Sequence, residues 1–217
     1  MLTEMFSMFV ASFWETLVMV GVSGVVGAAL GLPLGVLLYL TDRGGVLQNL
    51  ALNRTMGAIV NAVRSVPFII LLVAVIPFTR LVVGSSIGTA AAIVPLTIAA
   101  APFIARLVET ALREVDRGLV EAAQAMGAST RQIVFKVLLP ESLPGIVAGL
   151  TITFVSLVGY SAMAGAIGGG GLGDLGIRYG YQRFLPEVML VVVLILIVFV
   201  QLVQSFGDWL VRRLGHR

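Results

Sequence analysis

Residues 114–140 read EVDRGLVEAAQAMGASTRQIVFKVLLP. The stretch is charged and separates two apolar segments, roughly 81–105 and 142–167. Each segment is long enough to cross a hydrocarbon core, which takes about 20 helical residues. A charged insert between two such segments belongs outside the bilayer, as a loop offered to an aqueous face, and the chain reads as a membrane protein.

The insert has its own order. Asp116 stands as a helix N-cap, and Leu119, Ala122, Ala123 and Met126 recur at i, i+3, i+4 and i+7, one apolar helix face. Arg117, Glu121 and Gln124 occupy the other face. Gly127 holds the place of a left-handed glycine at a helix C-terminus. Ser129 and Gln132 make a capping-box pattern that opens a second helix. Ile133, Val134, Val137 and Leu138 give that helix an apolar side, and Pro140 is expected to end it. The spacing predicts two short helices meeting at Gly127, a compact knob; taken alone, it fits equally an amphipathic loop resting on the bilayer surface.

Working outward, the composition is that of a chain dissolved in lipid. Of 217 residues, 59% are hydrophobic and 12% charged, and the mean hydropathy is +1.06. Soluble domains carry about 25% charged residues. The net charge of +3 comes from clusters between apolar segments, the pattern of topology signals rather than of nucleic-acid binding. The chain has no cysteine, which excludes disulfides and thiolate metal sites and leaves the redox compartment unread. No Lys or Arg precedes residue 43, so the basic region of a cleaved signal peptide is not expected.

The predicted fold is all-α with five membrane spans: 16–40, 56–79 (interrupted by Arg64), 81–105 (opening with a turn at Gly84-Ser85-Ser86), 142–167 and 187–206. Arg43, Arg54, Arg106, Arg113, Arg117, Arg131, Lys136, Arg212, Arg213 and Arg217 fall on one side; Arg80, Arg178 and Arg183 fall on the other. The basic side should be cytoplasmic, which puts the N-terminus outside, the C-terminus inside and residues 114–140 in the cytoplasm. Ser23, Gly27, Gly31 and Gly35 form a small-residue ladder for close helix packing, within one subunit or between two. Pro33, Pro67, Pro77, Pro95, Pro102 and Pro144 lie in or at the edges of spans, where kinks are tolerated beside other helices or a cavity.

Residues 121–140 resemble the EAA motif of ABC importer permeases: Glu121-Ala122-Ala123, then Gly127, Ile133 and Leu139-Pro140. Five further blocks are similar to the methionine importer permeases. They are SVPFIILL from Ser65, IPFTR from Ile76, AIVPLT from Ala92, APFIAR from Ala101 and LVGYSAM from Leu157. The resemblance implies a single permease domain over 1–217 in the bacterial cytoplasmic (inner) membrane, importing L-methionine and often D-methionine. It implies a homodimer among membrane lipid, with two cytoplasmic ATPase subunits and an extracytoplasmic methionine-binding (lipo)protein. The region 114–140 would supply the coupling helices that dock into the ATPase, through Glu121, Ala122, Ala123, Gly127, Arg131, Ile133, Phe135, Leu139 and Pro140. ATP and Mg would be bound by the ATPase, so no cofactor, metal or catalytic residue is expected in this chain. Another small amino acid as cargo, or a secondary amino-acid transporter, is the alternative.

For the passage, the fourth span offers hydroxyls at Thr151, Ser156, Tyr160 and Ser161, although such groups often bond only their own helix. Met163, a large side chain amid Ala162, Ala164 and Gly165, is expected to form part of an external gate. Arg64 either faces a water-filled cavity or reaches to the headgroups. Gly171, Gly173 and Gly176 have dinucleotide-loop spacing, yet they follow a membrane span rather than a strand. Residues 168–176 are therefore expected to be a flexible outer turn, touching the binding protein with Asp174, Arg178 and Arg183. His216, in the basic tail, supports no catalytic or metal role. A secondary transporter would show internal repeats and midmembrane carboxylates, and an intramembrane enzyme would show a nucleophile or metal constellation; neither pattern is evident.

Overall fold

The computed structural model describes residues 2–215; His216 and Arg217 lie outside the described residues. Among the described residues, four helices are long and apolar enough to cross a membrane, and a bent helix pair makes a fifth candidate. No strand occurs among the described residues.

Helix α1 runs Leu2–Thr41, about 60 Å at 1.5 Å per residue, twice a hydrocarbon core. The expected span 16–40 is its C-terminal part; the apolar Met5, Met8 and Phe9 carry the helix back toward the N-terminus. The second expected span, 56–79, is not one helix. Helix α2 (Leu50–Ser65) and α3 (Phe68–Ala74) are bent by 104°. Pro67 pushes the preceding Val66 out of helical geometry, and Val66 is extended at φ −80° and ψ 126°. Helix α4 (Ile76–Val83) takes the first residues of the expected third span, and Gly84 closes it at φ +81°. The turn expected around Gly84 is present, and α5 then runs Thr89–Arg113 through Pro95 and Pro102.

Helix α5 is the centre of the bundle: Leu96, Ala100, Ile104, Ala105, Val108 and Leu112 are all buried. Its most extensive partner is α1, and the small-residue ladder is the reason. A Cβ on Gly27 would stand 2.7 Å from Ala100 Cβ, and one on Gly35 2.5 Å from the Ala105 carbonyl. The ladder thus packs within the subunit.

After α6 (Arg117–Ala125) and α7 (Thr130–Ile133), a wide π-type turn at Val134–Leu138 leads straight into α8 (Leu139–Ala164). Pro140 does not end the unit as expected. The Leu139 N–H reaches the Val134 carbonyl across the widened turn, making room for the proline ring, which in a regular helix collides with the carbonyl four residues back. The fourth span is therefore continuous with the loop before it, over Thr130–Gly169.

Residues 168–176 are not the flexible turn expected. A wide turn at Gly165–Gly169, the short α9 (Gly171–Leu175) and another wide turn at Gly176–Tyr181 fold back on α1. Leu172 and Leu175 are buried; the Gly171 N–H donates to Glu15 Oε2 at 2.6 Å and the Leu172 N–H to Thr16 Oγ1 at 2.9 Å. Helix α10 (Pro186–Leu214) closes the bundle. It leaves Leu190, Leu194, Ile197, Val198 and Leu202 exposed, an apolar face suited to lipid.

Candidate coupling site and passage

The knob forms as its caps dictate. Asp116 accepts the Gly118 N–H at 2.8 Å, opening α6. At the other end the Gly127 N–H donates to the Gln124 carbonyl at 2.9 Å and the Ala128 N–H to the Ala123 carbonyl at 3.0 Å. This bond pair is a Schellman motif, and Gly127 has the required positive φ of +78°. Ser129 then caps α7, with both bonds of the capping box present.

The apolar face read from spacing is corrected by packing. Val120 and Ala123 turn inward against the core that contains Ile133 and Leu138. Leu119 and Met126, read with Ala122 and Ala123 as one apolar face, are 44% and 82% exposed. A four-residue periodicity cannot say which of two adjacent stripes meets the bundle. Glu121, Ala122, Arg131 and Pro140 are exposed, Leu139 is half-buried, and Phe135 is 62% exposed. The knob so leaves Leu119, Met126 and Phe135 exposed. Glu121 and Gln124 also line a polar groove of about 150 Å³ with Asp42, Arg43, Arg113 and Arg117.

Beneath the knob lies a charge cluster that the sequence reading missed. Glu109, 2% exposed, accepts from Arg106 at 2.6 Å and from Arg113 at 2.7 Å. Arg113 continues to Asp42 after α1 at 2.6 Å, and Arg106 to Asn61 of α2 at 2.8 Å. Three helices are thus tied together just before α6. The signal was visible: arginines three before and four after a glutamate share one helix face.

Along α8, Thr151, Ser156 and Ser161 donate to their own helix, to the carbonyls of Val147, Ile152 and Val158. Thr151 and Ser161 are buried. Tyr160 is placed differently: its ring stacks on Phe68 with centroids 4.6 Å apart. Met163 is 47% exposed near the C-terminal end of α8. Arg64 lines a cavity of about 140 Å³ at the α2–α3 bend, together with Phe103 of α5 and Ser156 and Tyr160 of α8.

The described residues form a helical bundle with a capped, exposed knob, and four or five of its helical segments are membrane-span candidates. Residues 31–216 match the family described as binding-protein-dependent transport system inner membrane component, and the chain belongs to that family. Among its relatives, the Vibrio cholerae protein named "Probable D-methionine transport system permease protein MetI" is 62% identical over 204 residues, 94% of this chain and 91% of its own. The D-methionine transport system permease protein MetI of Escherichia coli K12 is 63% identical over 156 residues, 72% of each chain. A structure titled as inward-facing conformations of the MetNI methionine ABC transporter superposes with a TM-score of 0.96 at 57% identity, covering 97% of this chain and 98% of that one. An amino acid ABC transporter crystallised with histidines shares the fold alone, at a TM-score of 0.80 and 19% identity over 98% and 96% of the two chains.

Proposed function

We propose that this chain is the permease subunit of an ATP-driven methionine importer, taking L- and D-methionine, whose motor is a separate ATPase. The supporting observation is the knob itself. It is stiffened by three caps, fused without a break to the fourth span, and exposes Leu119, Met126 and Phe135. A rigid lever of this kind turns closure of a partner's cleft into tilting of α8, and rigid-body rocking is how alternating access is achieved around a fixed passage. Glu121, Ala122, Gly127, Arg131, Phe135 and Pro140 form the docking side, while Ala123, Ile133 and Leu139 hold it to the bundle. The substrate reading draws on the methionine transporters to which the chain is similar.

The working assembly is a homodimer with two ATPase subunits, which bind ATP and Mg, and an outer binding protein. The whole chain, 1–217, is one permease domain with its coupling region at 114–140. The N-terminus lies outside and the C-terminus inside. Asp174, Arg178 and Arg183 then stand on the outer side, toward the binding protein. Met163 forms part of the external gate. The test is uptake of labelled methionine by vesicles holding the purified permease, ATPase and binding protein. ATP-dependent uptake that vanishes without the ATPase is expected; uptake by the permease alone would overturn the proposal.

A further inference from the structure

Arg64 differs from the basic residues at the end of the bundle. Arg106 and Arg113 share Glu109, whereas among the described residues no carboxylate pairs with Arg64. Among the described residues its charge-related contact is the ring of Phe103, whose centroid lies 5.7 Å from the guanidinium carbon. Phe103 sits near the middle of α5 and Arg64, although exposed on one side, stands beside it; within a span an uncompensated cation costs roughly 2.5–3.5 kcal/mol by insertion scales. Arg64 lines the partly open cavity at the α2–α3 bend.

The rest of that cavity is chemically specific. Phe68, Leu71 and Phe103 supply aromatic and aliphatic wall, and Ala99 and Ser156 supply small ones. The Tyr160 ring is fixed against Phe68, with 11° between the planes, and its hydroxyl makes no hydrogen bond among the described residues. Ser156 spends its proton on the Ile152 carbonyl and keeps its lone pairs free to accept. No acidic side chain lines the cavity. One unpaired guanidinium, one free phenol, an accepting hydroxyl and apolar walls complement a small molecule with a carboxylate head and an apolar tail, and they reject a cationic side chain.

We infer that the Arg64 cavity is a transient substrate site, in which the guanidinium takes the α-carboxylate of an apolar amino acid while Phe68, Leu71 and Phe103 receive its side chain. The inference rests on the import reading above and names the residue that recognises the cargo inside the membrane. Guanidinium and carboxylate pair through two parallel hydrogen bonds. The absence of an acidic partner for the ammonium group keeps the site weak, as a passage requires for release.

The chain has no cysteine, so Ala99→Cys places a single thiol in the cavity wall. The permease–ATPase complex in nanodiscs is treated with a small maleimide, and labelling of this chain is followed by mass. L-Methionine should slow labelling about threefold at twice its Kd, by mass action. L-Methioninamide, which lacks the carboxylate, should give no protection. Arg64→Met should abolish the protection by methionine and Arg64→Lys should keep part of it. Equal protection by methionine and its amide, protection that survives Arg64→Met, or no protection at all would each overturn the inference. If Arg64→Met does not assemble, the comparison of methionine with its amide in the Arg64 complex decides alone. Failure of the import reading registers separately, as absent ATP-driven uptake by the unsubstituted complex.

Discussion

Gly127 shows how much a single backbone dihedral can carry. At φ +78° it sits where an L-residue pays about 1–2 kcal/mol, and a Cβ there would meet nothing within 4 Å. The penalty of a substitution is therefore conformational, without a clash. Gly127→Ala is expected to lower ATPase co-purification and ATP-driven uptake, while Gly127→Asn, which tolerates the left-handed region, retains more of both. Equal loss in the two variants would mean that the dihedral is not the reason for the glycine. Met163 carries the proposed gate. Replacing it with Ala should make vesicles leak or hydrolyse ATP without transport; an unchanged ratio of ATP hydrolysed to methionine carried would rule out a gating role. The left-handed place of Gly127 was legible in the sequence from its position between two caps. For Arg64 the sequence left a cavity and the headgroups as alternatives, and the groups that line its cavity come from four helices, α2, α3, α5 and α8.

At the scale of elements, contact between α1 and α5 depends on the absence of side chains. A Cβ on Gly31 would stand 2.6 Å from the Ala101 carbonyl and 2.8 Å from Ile104 Cβ. Gly31→Leu should push the helices apart and cost at least about 1–3 kcal/mol, read as a lower midpoint of thermal unfolding in detergent. Gly21→Ala, with nothing within 4 Å of the new Cβ, serves as the control and should leave the midpoint in place. The Glu109 cluster makes a second prediction. Glu109→Gln removes the charge from two hydrogen bonds to arginine, each worth about 1.5–3 kcal/mol. It should destabilise the protein clearly more than Glu114→Gln, whose carboxylate is exposed and makes no contact among the described residues. The elements that a linear reading mistook were those that bend or merge. The 104° break at Pro67 and the run through Pro140 both involve proline, and both outcomes are consistent with its chemistry. Whether a proline breaks a helix or is absorbed by a widened turn depends on what the next segment packs against.

For the whole molecule, the ends of the bundle divide the basic residues. Arg113 reaches Asp42 at one end; at the other, the Gly88 N–H donates to the Gly168 carbonyl at 2.8 Å. The proposed orientation predicts that a membrane-impermeant maleimide applied to intact spheroplasts labels Phe184→Cys and spares Arg131→Cys, both positions being exposed. The reverse pattern would invert the topology. The sequence by itself determined the solvent, since hydropathy and charge spacing select lipid whatever the packing. It determined the caps of the knob, because each cap is a local bond among residues a few positions apart. It also determined the ladder that lets α1 close on α5. Only the tertiary structure decided which face of α6 is buried, how residues 168–176 clamp onto Glu15 and Thr16, and that Arg64 opens into a cavity without an acid. Each of these depends on groups distant in the chain, and local periodicity carries no information about which of them will meet.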